Sequence, residues 1–337
     1  MLLFECDVWT VDPLHPDPEI IARAAAILRQ GRLVAFPTET VYGLGANALD
    51  PLAVSRIFGA KGRPARNPVI VHVAKPEQAI PLASSWPKAA QQLAERFWPG
   101  PLTLVVPRSA LIPDLVTAGG PTVALRCPAH PVALALIEAA GMPIAAPSAN
   151  RSSEISPTLA SHVFRSIGDR IDVILDGGPT PSGIESTVLD LSTDIPRLLR
   201  PGPIAPDLLE SIIGPIQRVV QVTSGVPLPS PGLLARHYAP RTLLECWSSR
   251  EEMATRVRDL LASGQRLGVI VPQSLGITSS SLKEVLLPPD PVGYAAGLYQ
   301  ALHDLDTAKL DRLVGWLPPE TDEWLGVRDR LLRAATL

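Results

Sequence analysis

The chain has 337 residues, a formal net charge of −3, and 46% hydrophobic against 19% charged residues. That balance is too apolar and too nearly neutral for a disordered chain, and it provides no overall electrostatic pull toward nucleic acid. Proline is in excess at 37 residues, beside 24 glycines, with no collagen-like period.

Asp17 is placed to cap a first helix that begins at Pro18 and Glu19 and ends near Gly31. Leu33–Phe36 reads as a buried strand stopped by Pro37. Asp50-Pro51 repeats the capping signal and predicts a short helix to about Phe58. Val69–Val73 reads as a strand, with helices over roughly 76–83 and 87–97. Strands at Leu102–Val106 and Thr122–Arg126 precede a helix from Pro131 to about Ala140. Pro143–Ala146 and Val173–Leu175 read as short strands, and Thr187–Leu191 with Arg197–Arg200 as a pair. This alternation predicts an α/β domain over 1–214.

Pro227, Pro229, Pro231 and Pro240 stiffen a segment read as an extended linker over 215–241. A second unit over 242–337 begins strand–helix–strand: Leu243–Cys246, a helix at about 249–262, and Leu267–Val271. Helices at roughly 291–304 and 320–335 follow, so a smaller Rossmann-like α/β domain is expected. It lacks G-x-G-x-x-G, which argues against dinucleotide binding.

Cys6, Cys127 and Cys246 are far apart, and the six histidines form no metal-binding motif, so neither a disulfide framework nor a zinc site is expected. No stretch reads as a signal peptide or a membrane span. A cytoplasmic protein is the expectation.

Polar groups concentrate in a few short segments. Pro37–Gly45 packs hydroxyls, a carboxylate, a phenol and two glycines behind a strand; a polar turn or a ligand loop would use the same residues. Lys61–Pro68 holds three cations between prolines, which suits a polyphosphate or a solvated basic turn. His72 lies on the next strand, where a histidine is more often core than ligand. Arg126 ends an apolar strand and needs an anionic partner. Ser148 and Asn150 follow another strand, and Glu185-Ser186 precedes one. Polar groups at strand ends are where open α/β folds bind ligands. Neither serine lies in a G-x-S-x-G nucleophile motif.

Taken together these segments resemble the YrdC family: P-T-E-T-V-Y-G-L-G at 37–45, K-G-R-P-x-x-N-P at 61–68, T-V-A-L-R-C-P at 122–128, P-S-A-N at 147–150, E-S-T-V at 185–188 and L-R-P-G at 199–202. S-P-G-L-L-A-R-H-Y-A-P at 230–240 is similar to the linker of the long, two-domain threonylcarbamoyl-AMP synthases. The C-terminal domain matches mainly at Tyr294–Asp306 and Arg328–Ala335.

The resemblance implies a YrdC-like twisted mixed sheet with helices. It implies synthesis of threonylcarbamoyl-adenylate from L-threonine, bicarbonate and ATP with release of pyrophosphate. A downstream threonylcarbamoyl-transferase complex would then modify tRNA. It assigns Lys61 and Arg63 to the phosphates and to catalysis. Asn67, Thr122, Ser148, Asn150, Ser156, Arg200 and Tyr238 are its other ATP contacts, with His237 or Arg236 beside Tyr238. Thr40, Tyr42, His72, Arg126, Ser186 and the backbone at Ala146 would form the threonine pocket, with Arg126 on the carboxylate. Mg²⁺ would ride on the ATP phosphates, with no metal site of protein ligands. Glu39 and Glu185 lie in matched motifs without an assigned role. A YrdC-like module that binds RNA without catalysis is the alternative, since family members have been linked to double-stranded RNA. The balance of 30 basic and 33 acidic residues disfavours it. A carbamoyl-transfer enzyme of hydrogenase maturation would carry cysteine pairs that this chain lacks.

Overall fold

The computed structural model describes residues 6–218 and 237–335. The first unit comprises β1 (Asp7–Thr10), α1 (Pro18–Arg29), β2 (Val34–Phe36), β3 (Gly43–Asn47), α2 (Pro51–Lys61), β4 (Ile70–His72), α3 (Lys88–Phe97), β5 (Leu102–Pro107), α4 (Asp114–Thr117) and β6 (Thr122–Arg126). It continues with α5 (Pro131–Ala140), β7 (Ile144–Ala145), α6 (Ala160–Ile167), β8 (Val173–Asp176), β9 (Thr187–Asp190), β10 (Arg197–Arg200), α7 (Pro206–Ile213) and β11 (Gln217–Arg218). Its strands form one twisted mixed sheet in the order β1-β8-β2-β3-β7-β4-β6-β5-β9-β10-β11.

Prolines set the helix starts. Asp17 and Asp50 each accept a backbone N–H of the first turn, at 2.8 and 2.9 Å, ahead of Pro18 and Pro51. Pro131 and Pro206 open two more helices. The helix expected over 76–83 is instead two 3-10 turns, Pro76–Gln78 and Ile80–Leu82. Pro81 has no N–H to give, so an α-helical ladder cannot run through it.

The segment read as a loop around Gly43 and Gly45 is β3, antiparallel to both β2 and β7. A Cβ on Gly45 would lie 2.8 Å from the Phe36 ring and 3.0 Å from Ile144. Its glycine therefore admits neighbouring strands, not a ligand.

Strand alternation gives the central strands two different faces. Val71, Leu125, Leu104 and Leu189 point into the large helix-covered core. Ile70, Ala124, Val105, Val188 and Leu199 form a five-residue cluster on the other face.

The second unit has β12 (Leu244–Trp247), α8 (Arg250–Ala262), β13 (Leu267–Val271), β14 (Leu282–Leu286), α9 (Pro291–Asp306), β15 (Arg312–Trp316) and α10 (Leu325–Ala334). Its sheet is parallel throughout, in the order β12-β15-β13-β14. Met253, Val257 and Leu260 of α8 cover one face, and residues of α9 and α10 cover the other. This is the expected Rossmann-like layering. Of the expected linker, 219–236 lies outside the described residues.

The two units meet backbone to backbone. Gly183 has φ +70°, and a Cβ there would stand 2.3 Å from the Ala295 carbonyl oxygen in α9. Gly326 in α10 is also tightly packed, since a Cβ there would lie 2.9 Å from the Ile184 side chain and 3.0 Å from the Gly202 carbonyl oxygen. Gly183→Ala combines positive-φ strain with overpacking, each of order 1 kcal/mol or more. Calorimetry should show a melting midpoint lower by several degrees; an unchanged midpoint would mean that the junction yields freely.

Candidate active site

The cavity lies on the face of the sheet that carries the small buried Ile70 cluster, and not only at strand ends. It encloses about 50 Å³ open to water, several times the roughly 10–15 Å³ that one water needs. Ile70 and His72 share its floor, two residues apart on β4. Tyr238 closes it from the side of the second unit and packs in the same apolar cluster as Tyr299 and Leu298.

One wall is cationic. Lys61 is buried, and its Nζ donates to the Ser148 carbonyl at 2.5 Å and to the Asn150 carbonyl. Burial, then the Arg63 charge, lowers its pKa well below the usual lysine value, against Glu154 and Glu185. Arg63 folds its own loop by donating to the carbonyls of Asn67 at 2.9 Å and Pro68 at 2.6 Å. Arg200 donates to the Ser186 carbonyl at 3.0 Å and to its Oγ at 3.1 Å. Among the described residues none of these three cations has a carboxylate within 4.0 Å. Burial pushes Arg63 down to about 9, with Arg200 adding to the effect. A guanidinium remains charged there at neutral pH. Buried cations without carboxylate partners call for an anionic ligand.

The opposite wall is compact. His72 and Arg126 are in register across β4 and β6. Arg126 lies 2.8 Å from Glu39, and the same nitrogen donates to Thr40 Oγ1 at 2.9 Å. The anionic partner that the sequence demanded is thus partly supplied from within the chain. Thr38 and Thr40 hydroxyls are 2.8 Å apart, and Thr38 also donates to the Val41 carbonyl, which holds the loop in a tight turn. His72 Nδ1 is buried with no partner. Burial, reinforced by Arg126, pushes it down to about 3, so the imidazole is neutral.

Of the residues singled out in the sequence, Thr40, His72, Arg126, Ala146, Arg63, Ser148, Arg200 and Tyr238 line the cavity. Lys61, Asn67 and Ser186 stand one layer behind it, bonded to lining residues as above, as does Asn150, whose backbone N–H donates to the Ser148 carbonyl. Asn67 is fully buried with both amide atoms unpartnered, and so is Asn150 Oδ1. Ser156 is also behind the lining, donating to Glu185. Two residues sit elsewhere. Tyr42 lies in the main core, its hydroxyl donating to the Gly178 carbonyl at 2.7 Å. Thr122 begins β6, four residues before Arg126 and so roughly 13 Å along the strand.

Glu185 is the residue to which sequence reasoning gave no role. It lines the cavity and accepts from Arg330 Nε at 2.7 Å, Tyr299 OH at 3.0 Å and Ser156 Oγ. Burial pushes its pKa up, but Arg330, then Arg200, overcome this and hold it near about 2. Arg330 was missed altogether. Its signal was a cation at helical spacing among the buried Val327, Leu331 and Ala334.

Fold and site together define an α/β enzyme of the kind that holds a polyphosphate beside a small second anion. The family model of Sua5, YciO and YrdC proteins, described as telomere recombination, matches residues 26–202. A second, described as threonylcarbamoyl-AMP synthase, C-terminal domain, matches 204–336. The chain belongs to the Sua5/YciO/YrdC family. It is 46% identical to threonylcarbamoyl-AMP synthase of Bacillus subtilis, over 97% of this chain and 96% of that one. It is 45% identical to the Pyrococcus abyssi protein of the same name, over 93% of both. A crystal structure of P. abyssi Sua5 complexed with L-threonine superposes with a TM-score of 0.91, at 41% identity, over 98% of this chain and 99% of that chain.

Burial also lowers three further histidines: His162 and His237 to about 3, His303 to about 4. The unfolded chain takes up these protons near pH 6.5 while the fold does not, so stability falls as pH drops below that value. Glu185 adds the same trend from its unfolded value of about 4.5 down to about 2. The urea midpoint should therefore decline steadily from pH 7 to pH 4; a flat profile would contradict the neutral buried histidines.

Proposed function

We propose that this protein is a nucleotidyltransferase that makes L-threonylcarbamoyl-adenylate from L-threonine, bicarbonate and ATP, releasing pyrophosphate. The observation that carries the reading is one cavity with two anion sites: Arg63 and Arg200 on one wall, with Lys61 behind it on the Ser148 carbonyl, and Arg126 with Thr40 and His72 on the other. The shared name of the relatives and the threonine complex of one of them support ATP and threonine as the ligands. Residues 1–214 act as the catalytic unit, 215–241 as a linker and 242–337 as the C-terminal unit.

In this reading the triphosphate lies against Arg63 and Arg200, with Lys61 behind them, within reach of Ser148 and of the unpartnered Nδ2 of Asn67, while Asn150, whose Nδ2 already donates to the Arg151 and Glu154 carbonyls, keeps Oδ1 as an acceptor for the nucleotide. Mg²⁺ enters with the phosphates as part of the substrate. The threonine carboxylate meets Arg126, whose Nη1 has no partner among the described residues. Neutral His72 offers Nδ1 as an acceptor for the threonine hydroxyl or amine.

The threonine amine adds to bicarbonate with loss of water, forming the N–C bond of a carbamate. A carbamate oxygen then attacks the α-phosphorus, the bond to the bridging oxygen breaks, and pyrophosphate leaves with the electron pair. The chain's contribution is alignment of two like-charged reactants and neutralisation of the charge that builds on the leaving group. The adenylate is a reactive mixed anhydride, which a threonylcarbamoyl-transferase complex would consume to modify tRNA. A cytoplasmic setting, where ATP and tRNA meet, suits this role, and no direct RNA contact is needed for the synthetic step.

Pyrophosphate release from ATP should require threonine and bicarbonate together. Equal release without threonine would refute the assignment. Arg63→Ala should lose well over tenfold in synthesis while the protein unfolds cooperatively as before; unchanged activity would remove this loop from the phosphate site.

A further inference from the structure

Arg330 has no exposed surface, yet it stands on α10, outside the sheet that carries the cavity cations. Its guanidinium is fully employed across the junction. Nε and Nη2 donate to the Glu185 carboxylate and to the Glu185 carbonyl at 3.3 Å, and Nη1 donates to the Pro201 carbonyl at 3.0 Å and to Asp329 at 2.7 Å. Its carbon centre lies 5.1 Å from the Tyr238 ring centre. Tyr299, from α9, donates to the same carboxylate and stacks obliquely at 5.9 Å on Tyr238. Tyr238 has φ +61°, a backbone state that a bulky residue keeps only when its surroundings impose it.

We infer that Arg330 and Tyr299 are positioning residues for the polyphosphate wall: they hold the Glu185 carboxylate away from Arg200, Arg63 and Lys61, and they seat Tyr238 at the cavity mouth. The inference rests on the proposed ATP site. Its physical basis is competition. Glu185 is an internal anion beside cations that have no carboxylate of their own, and its only ion pair among the described residues is with Arg330. Released from that pair, a buried carboxylate turns to the nearest cations, which are those the phosphates need. Gly183 and Gly326 permit the close junction that brings α10 within reach. The second unit therefore completes the site without touching substrate chemistry.

The test is calorimetric binding of Mg·ATP and, separately, of L-threonine to the full chain. Wild type that binds no ATP would refute the underlying site. Given wild-type binding, Arg330→Gln should weaken ATP by tenfold or more and threonine by less than threefold. Glu185→Gln/Arg330→Gln, which leaves no carboxylate to compete, should recover most of the lost ATP affinity. Tyr299→Phe removes one hydrogen bond and should weaken ATP a few-fold. ATP binding by Arg330→Gln at wild-type strength would overturn the inference. Equal loss of both ligands, with no recovery in the double variant, would overturn it as well. Should Arg330→Gln not fold, Tyr299→Phe with unchanged ATP affinity decides against it.

Discussion

Burial of positive charge without matching carboxylates is the constraint on which the rest of this structure depends. Arg63, Arg126 and Arg200 line one cavity with Lys61 just behind, and the carboxylates near them are Glu185 in the lining and Glu39 on Arg126. Each carboxylate is already committed, to Arg126 and to Arg330. The remaining cations are kept in place by carbonyl oxygens, which satisfy their N–H groups but do not cancel their charge. Such a wall is poised for a polyanion. It also explains the detail of its surroundings: rigid loops, an acid tied down by hydrogen bonds, and a tyrosine seated over the opening.

The proline excess finds two uses in this setting. Pro18, Pro51, Pro131, Pro206 and Pro291 open helices, where the missing N–H costs nothing. Pro64, Pro68, Pro147 and Pro201 flank the residues that build the cationic wall. Pro68 and Pro201 also offer carbonyls to Arg63 and Arg330. A proline carbonyl on a backbone of restricted φ is a well-fixed acceptor, so the same residue stiffens the loop and orients a guanidinium.

Much of the first unit was legible because its signals are local. Asp-Pro caps and apolar periodicity placed α1 and α2, and Pro131 marked the start of α5. Legibility failed where the cause is a distant contact. Gly43–Asn47 has little β-propensity and is a strand because Phe36 and Ile144 close on its glycines. β14 and β15 were not anticipated, and in β15 a glycine interrupts the apolar run where Cys246 packs against it. Among site residues the motifs led to Arg63, His72, Arg126, Ser148 and Arg200. They led to Tyr42 as well, whose hydroxyl the fold gives to Gly178 instead.

The sequence by itself determined which polar residues stand together along the chain, since short motifs of cations, hydroxyls and prolines are written contiguously. Only the tertiary structure decided where they converge and what restrains them. Strand alternation puts only a small, buried five-residue cluster on one sheet face, and the cavity lies above its Ile70. Glu185 and Arg330 lie 145 positions apart and meet at 2.7 Å. No local signal couples positions so far apart: their pairing depends on the glycine-lined junction that lets two separately formed sheets approach backbone to backbone.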